Sequence, residues 1–457
     1  MGVLNTDRRV IALAMARMAD ALGNSFLIIV LPGFIASGQI EVEELVGTTL
    51  PIVGEVTVPL LIGLVLSLFG LLNSFGQPFT GRLSDRSGRR KLFILVGLVV
   101  FGVSSAFYPF VSSYEAVLAI RALQGLGAAF TIPGTIALVN EYSQADTERG
   151  GNFGVFNTFR LAGFGFGPIV AGLLVTGGVG AVGVEGGGKA PTVVAEYVMP
   201  AFLGGVVVSG YTAAFAVAVV GAAVSFGLVS AFVNDPEESG AEAGADLSIA
   251  VRDASGESYF DPIFILGVAT FFMAAGIAVF ATLQEDINAA LGQGSFLFSI
   301  QFAAVVIANV VFQVPMGSAS DTYGRRPFIV GGFGLLVPSL LFQAYLVTPG
   351  AVASPLLMIV GRLIQGIAVA MVFAPSLALA GDLARMGDSG TKLSVLTMAF
   401  GLGVAAGPTA AGFLVRYGLP TPFAFAGALG AVALVLVYSQ VSDTVGAQPG
   451  EAAPTTD

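Results

Sequence analysis

The chain has 457 residues, 55% of them apolar and only 11% charged, with a mean hydropathy of +0.88. Soluble proteins carry about 25% charged residues, so the ordinary globular classes are excluded and a polytopic membrane protein is indicated. A net charge of −10 opposes nucleic-acid binding, and the absence of Cys and His removes disulfides, thiolate chemistry and the commonest metal ligand.

Stretches of about 20 apolar residues, each long enough to cross a bilayer, recur at 10–35, 59–80, 92–111, 115–139, 153–176 and 211–233. Six more follow at 261–283, 297–316, 328–347, 355–379, 393–415 and 420–441. The first follows Arg8 and Arg9, is too long for the apolar part of a signal peptide and has no small-residue cleavage site after it, so it is retained as a span. Segments 36–58 and 177–210 form long loops on one side; the second contains glycine patterns (178–183, 183–189) that mimic nucleotide loops but lack their strand and Ser/Thr. Between spans six and seven, 234–260 is acidic, small and without an apolar face, and reads as a solvated linker; 442–457 reads as a disordered tail. The expected organisation is therefore 1–233 and 261–441 as two six-helix bundles in an all-α fold of twelve transmembrane helices.

Orientation follows from the basic residues. Thirteen of nineteen fall on the side of the termini: Arg8, Arg9, Arg82, Arg86, Arg89, Arg90, Lys91, Arg149, Arg252, Arg325, Arg326, Arg385 and Lys392. Both termini are expected in the cytoplasm of a plasma-membrane protein, with Tyr108, Tyr114, Tyr345 and Tyr417 in an outer aromatic belt. With only three Lys and 29 acidic residues, the loops match a halophilic chain, because molar salt screens like-charge repulsion.

The two halves repeat. Gln77, Gly81, Asp85, Gly88, Arg89 and Arg90 recur as Gln313, Gly317, Asp321, Gly324, Arg325 and Arg326, a shift of 236 residues. Arg121-x-x-Gln124-Gly125 recurs as Arg362-x-x-Gln365-Gly366, a shift of 241. Gly163-x-x-x-Gly167-Pro168 recurs as Gly403-x-x-x-Gly407-Pro408, a shift of 240. Three matched motifs in one order indicate two homologous halves. Over residues 1–441 the chain resembles the major facilitator superfamily, within its twelve-span drug:proton antiporter-like group. The resemblance lies in Gly81-x-Leu-x-Asp85-Arg86-x-Gly88-Arg89-Arg90, in Arg121-x-x-Gln124-Gly125, and in the Gly-Pro motif of span five. It implies two pseudo-symmetric bundles around a central cavity, alternating access, and a loop cluster that latches the cytoplasmic side. Thr322 and Ala319 replace Arg86 and Leu83 in the second copy, which is expected to be the weaker lock.

Charge inside the bilayer costs roughly 2.5–3.5 kcal/mol per residue, so embedded ionisable groups are functional candidates. Five are embedded: Arg17, Asp20, Arg121, Arg160 and Arg362. Asp20 lies about ten residues into span one and Arg121 at a similar depth, so the two are expected to face each other. A carboxylate whose guanidinium partner comes and goes would bind and release a proton, and the resemblance associates the span-four Arg with proton coupling. The alternative is a static pair of Asp20 with Arg17, one turn away. Arg160 has Glu141, Asp146 and Glu148 within reach, while Arg362 has no acidic residue in spans seven to twelve. An unpaired buried Arg favours an anionic group. Asn24, Gln124, Gln301 and Arg362 are the candidate cargo contacts. Gly163, Gly167, Pro168, Gly403, Gly407 and Pro408 are the candidate helix hinges.

The expected activity is secondary active transport as a monomer: efflux of small amphipathic compounds against protons, or sodium as the alternative ion. A symporter or exchanger for an organic anion is the second reading, and a non-transporting membrane sensor the third. No nucleophile–base set or metal cluster stands out, so neither an enzyme nor a cofactor is expected.

Overall fold

The computed structural model describes residues 7–51, 54–142, 146–177, 194–198, 207–235, 251–252, 259–383 and 389–444. Most of the expected linker and tail, and both nucleotide-loop mimics, lie outside the described residues.

Among the described residues, twelve helices are long and apolar enough to cross a membrane. In the first half these are α1 (Arg8–Ala36), α2 (Val58–Ser87), α3 (Arg90–Ala106), α4 (Tyr114–Glu141), α5 (Asp146–Thr176) and α6 (Gly210–Phe232). In the second they are α7 (Pro262–Thr282), α9 (Ser295–Tyr323), α10 (Arg325–Leu346), α11 (Pro355–Asp382), α12 (Ser389–Leu414) and α13 (Pro420–Gln440). Between α7 and α9 lies a short helix, α8 (Gln284–Leu291), that the apolar count does not anticipate. Two small antiparallel hairpins, Thr49–Leu50 with Gly54–Glu55 and Glu196–Val198 with Val207–Ser209, occupy the loops opposite the termini.

Helix starts are chemically marked. Thr57, Ser113 and Ser354 each accept a hydrogen bond from a first-turn amide of α2, α4 and α11, satisfying donors that the helix itself cannot. Gly88 closes α2 at φ +63°, a conformation that a Cβ would strain. Asp7 caps α1 and pairs with Arg9; burial pushes its carboxyl up, but the Arg9 hydrogen bonds and charge hold it below the usual carboxylate range.

Within each bundle, helices approach where glycine leaves backbone uncovered. A Cβ at Gly163 would strike the Met18 carbonyl, and one at Gly167 the Ser25 hydroxyl, so α5 lies directly on α1. The second half repeats the contact, with Gly403 against the Phe271 carbonyl and Gly407 against Ala275, placing α12 on α7. Both α5 and α12 continue through Pro168 and Pro408.

The bundles meet along two further seams. On α2, Gly63 lies against the Pro408 carbonyl and Gly70 against Ala405 of α12. Ser67 and Thr409 join their hydroxyls across the same seam at 2.7 Å. On α5, Gly172 faces Ser299 of α9 and Phe164 lies 6.5 Å from Phe302. Further toward the termini the same helix faces part. Gly81 of α2 has only Pro133 of its own bundle nearby, Gly317 of α9 only Ala374, and Gly154 of α5 has nothing within 4 Å. Among the described residues, the halves are thus joined away from the termini and separated beside them.

The aromatic belt is corrected in part. Tyr345 and Tyr417 are exposed, but Tyr108 and Tyr114 are buried. Their hydroxyls donate to Gln124 Oε1 (3.0 Å) and the Leu61 carbonyl (2.9 Å), because an enclosed acceptor competes with the interface for a tyrosine.

If the seams hold the bundles, Gly163→Val should destabilise the detergent-solubilised protein by about 1–3 kcal/mol through overpacking. Gly227→Ala, where nothing lies within 4 Å, should shift the thermal midpoint little, and a midpoint comparison of the two variants checks this.

Candidate functional site

Packing fixes the rotation of α1 about its own axis. Met18, Leu22 and Ser25 meet α5, while Gly23 meets Phe101 of α3 and Ala218 of α6. The hydroxyl of Ser225 on α6 donates to the Ala16 carbonyl at 3.2 Å. What remains is a third face carrying Arg17, Asp20 and Asn24, spaced so that all three line up. On α5 the glycines take the α1 side, which leaves Asn157, Arg160 and Phe164 on the stripe between α1 and α9. Phe164 against Phe302 closes this space away from the termini, and Arg160 sits one turn on the open side of that closure.

The expectation that Asp20 faces Arg121 is corrected by this geometry. Asp20 forms its ion pair with Arg17, three residues earlier on the same helix. Both are largely enclosed, with 7% and 12% of their side-chain surface exposed. A partner one turn away reaches the carboxylate without crossing the bundle, which is why the local pair prevails. Arg160 donates twice to the Asn157 amide oxygen, at 3.0 and 2.8 Å. Asp146 and Glu148, its expected partners, have side chains outside the described set, and Glu141 is engaged elsewhere.

Arg121 is fully buried within its own bundle. It donates to the Val65 carbonyl (3.4 Å) and to Gln124 Oε1 (3.1 Å), and its guanidinium lies 4.7 Å from the Phe69 ring. Arg362 repeats the arrangement with the Gln301 carbonyl (3.3 Å), Gln365 Oε1 (2.6 Å) and the Phe280 ring at 4.2 Å. The accepting carbonyls, Val65 and Gln301, are themselves 236 residues apart. Gln124 is held by Tyr108 and Ser105, and Gln301 by Gln293 and the Pro355 carbonyl. The structure therefore encloses Gln124, Gln301 and Arg362, whereas Asn24 is half-buried with its Oδ1 unpartnered.

The loop motifs form two ion-pair triads. Arg90, at the first turn of α3, binds Asp85 at 3.0 Å and also Glu141 at the end of α4. Arg325, at the first turn of α10, binds Asp321 at 3.3 Å and Asp382 at 3.0 Å. Each triad ties three helices of one bundle; neither joins the two bundles in this state. The second copy keeps its triad despite Thr322 and Ala319. Arg86 and Arg89 are exposed, and Arg326 donates to the Tyr438 carbonyl. Glu141 and Asp382 escape motif reading, yet they share the 241-residue shift of Arg121 and Arg362. Asp235 and Asp443, just past α6 and α13, accept the first amides of α3 and α10; their short, loop-like context gives little sequence signal.

Comparison with known proteins places this geometry. The profile of the Major Facilitator Superfamily matches residues 7–280 and 263–455. An uncharacterised MFS-type transporter of Methanocaldococcus jannaschii is 28% identical over 185 residues, 40% of this chain and 46% of that protein. The quinolone resistance protein NorA of Staphylococcus aureus is 29% identical over 113 residues, 25% of this chain and 29% of its own length. The alignments thus span less than half of either relative. Among solved structures, a bacterial homolog of the human lysosomal transporter Spinster, inward-facing and occupied, superimposes with a TM-score of 0.70 at 13% identity over 94% of this chain and 95% of its own. The human organic anion transporter MFSD10 gives 0.61 at 19% identity, covering 94% and 99%.

Breaking the triads should cost unequal amounts. Arg90 is 5% and Glu141 21% exposed, so Glu141→Ala should cost about 3 kcal/mol by stranding a buried charge. Asp321 is 61% exposed, and Asp321→Ala should cost less than about 1 kcal/mol. Thermal unfolding of both variants in the same detergent checks the difference.

Proposed function

The chain belongs to the Major Facilitator Superfamily, and from that premise we propose that it expels small amphipathic compounds by alternating access, coupled to inward proton movement. The observation that carries this reading is the pair of glycine-lined seams, closed away from the termini and parted beside them, with one ionisable carboxylate at the blind end. Asp20 is the proton carrier in this reading. With no His or Cys in the chain, a carboxyl is the only side chain suited to take a proton near neutrality at that depth. Ionised, it is held by Arg17; protonated, it releases that guanidinium, and the energetic difference biases which way the bundles tilt. Arg121 acts as the fixed cation of the same bundle.

The remaining roles follow from the same motion. The triads around Arg90 and Arg325 act as gate elements on the side of the termini, which this reading puts in the cytoplasm of the cell membrane. Gly163, Gly167 and Pro168, with Gly403, Gly407 and Pro408, act as the bearing surfaces and hinges on which the bundles rock. The relationship to NorA supports the export direction. Sodium is the alternative coupling ion, and the acid-rich, Lys-poor loops favour operation at high salt.

A second reading, symport or exchange of an organic anion, is favoured by one observation: Arg160 lies in the parted space against a neutral amide among the described residues. In proteoliposomes with an imposed pH gradient, the wild type should accumulate or expel cargo, and Asp20→Asn should lose gradient-driven flux about 100-fold. Facilitated counterflow of the same cargo should persist in that variant. Undiminished gradient-driven flux in Asp20→Asn would remove this residue from coupling.

A further inference from the structure

We propose that Arg17 and Arg160 form a site for the anionic group of the cargo, a carboxylate or sulfonate, and that Asp20 is its internal competitor. The inference rests on the transport reading and specifies the charge of the compound carried.

The two arginines lie on the stripes of α1 and α5 that border the parted space, at the level where Gly163 meets Met18. Met18, next to Arg17, lies against Gly163, less than one turn from Arg160, which sets the two guanidiniums on adjoining helices at one level. Among the described residues one carboxylate, Asp20, stands against both, so the apex of the opening carries one surplus positive charge. Among the described residues no other neighbouring helix cancels it: α9 carries only Asp321, which is paired with Arg325 near the end of that helix. Helices α6 and α7 contain no charged residue, and α2 carries its charges only at Arg82, Asp85 and Arg86, toward the termini. On α4, Glu141 is committed to Arg90, Arg121 is caged by Gln124 and Val65, and Glu115 starts the helix at its opposite end. On α8, Glu285 and Asp286 lie in its first turn, beyond the far end of α7.

The hydrogen-bonding state of the groups points the same way. Arg160 turns its Nε and Nη2 edge, the fork that matches a carboxylate, onto the single oxygen of Asn157. Arg17 has a buried Nε without a partner. Asn24 on α1 and Asn309 on α9 each present a buried amide oxygen without a partner, and both amides can reverse to donate. Asn309 stands two turns from Phe302 toward the open side, across from Arg160. Two guanidinium forks and the Asn309 amide thus border the open side, where Asp20 is the one carboxylate among the described residues, and Asn24 lies about a turn deeper, level with Gly167. Phe164 and Phe302 supply an apolar wall beside them for the rest of an amphipathic molecule.

This separates two kinds of buried arginine. Arg362 and Arg121 are 0% and 1% exposed, their faces covered by Phe rings and their Nε and Nη1 donating to backbone and glutamine oxygens, with Arg362 Nη2 enclosed without a partner. Arg17 and Arg160 differ in retaining surface open to the parted space.

The test uses the full chain in nanodiscs and three probes of one shape: 2-naphthoate, 2-naphthamide and the naphthylmethylammonium ion. Equilibrium binding should favour naphthoate over the amide by about ten-fold or more, the range of a charge-assisted pair. Arg160→Gln should abolish that preference, and Arg160→Lys should restore part of it. Asp20→Asn should strengthen naphthoate binding by about ten-fold, since the competitor is gone and Arg17 is freed. Thermal midpoints near the wild type for these variants show that the fold is kept, and Asn157→Ala supplies a milder variant that should tighten naphthoate binding by freeing the Arg160 fork. Equal binding of all three probes overturns the proposal, as does a preference for the ammonium that Asp20→Asn abolishes. Naphthoate binding in this pattern without any vesicle flux would retain the site and refute the transport reading. Flux of a neutral or cationic cargo with no naphthoate preference would do the reverse.

Discussion

Two helices can touch backbone to backbone only where no side chain intervenes, and four such approaches set how the helices around the parted space are placed. Gly163 and Gly167 bring α5 onto α1, and Gly403 and Gly407 bring α12 onto α7. Gly63 and Gly70 admit α12 to α2, and Gly172 admits α9 to α5. In a lipid environment, where apolar contact gives no net advantage over tails, close approach and hydrogen bonds such as Ser67–Thr409 supply the attraction between helices. The same contacts fix how each helix is rotated, and so decide which side chains look into the parted space. Without the approach at Met18, Arg17 and Asp20 would have no defined direction.

The enclosed arginines show how a charge can be housed in such a protein without an acid. Arg121 and Arg362 each take a backbone carbonyl, a glutamine oxygen three residues on, and an aromatic face. Carbonyl dipoles and ring quadrupoles share out the positive charge. Both halves use the same solution, and the pairs at the membrane edge follow suit. Where the first half joins Asp85, Arg90 and Glu141, the second joins Asp321, Arg325 and Asp382. The central arginine moves by one register position, because Gly324 alone bridges α9 and α10 whereas Gly88 and Arg89 separate α2 from α3.

The twelve spans are legible because length and apolarity alone define them; on the side of the termini polar turns extend several of them, as at Ser87 of α2 and Tyr323 of α9, while α7 is a residue shorter at each end. The halves were legible through spacing. Side-chain partners were less so: Asp20 and Arg121 share a depth, yet depth says nothing about azimuth, and the azimuth of α1 is set by glycines on α5. Helix α8 was missed because eight residues with mixed polarity leave no membrane-length signal. Glu141 and Asp382 went unnoticed as triad members because each stands alone in sequence, although extending the alignment of the halves by 20 residues reaches both.

The surplus positive charge at the apex has an electrical consequence. An empty carrier that turned its opening from one face to the other would take that charge through part of the membrane field, and a full crossing of one charge is worth about 2.3 kcal/mol per 100 mV. A resting potential negative inside would then hold the unloaded molecule open toward the cytoplasm, and a molecule neutralised by its passenger would be indifferent to voltage. The direction in which the carrier waits is thereby tied to whether it is full.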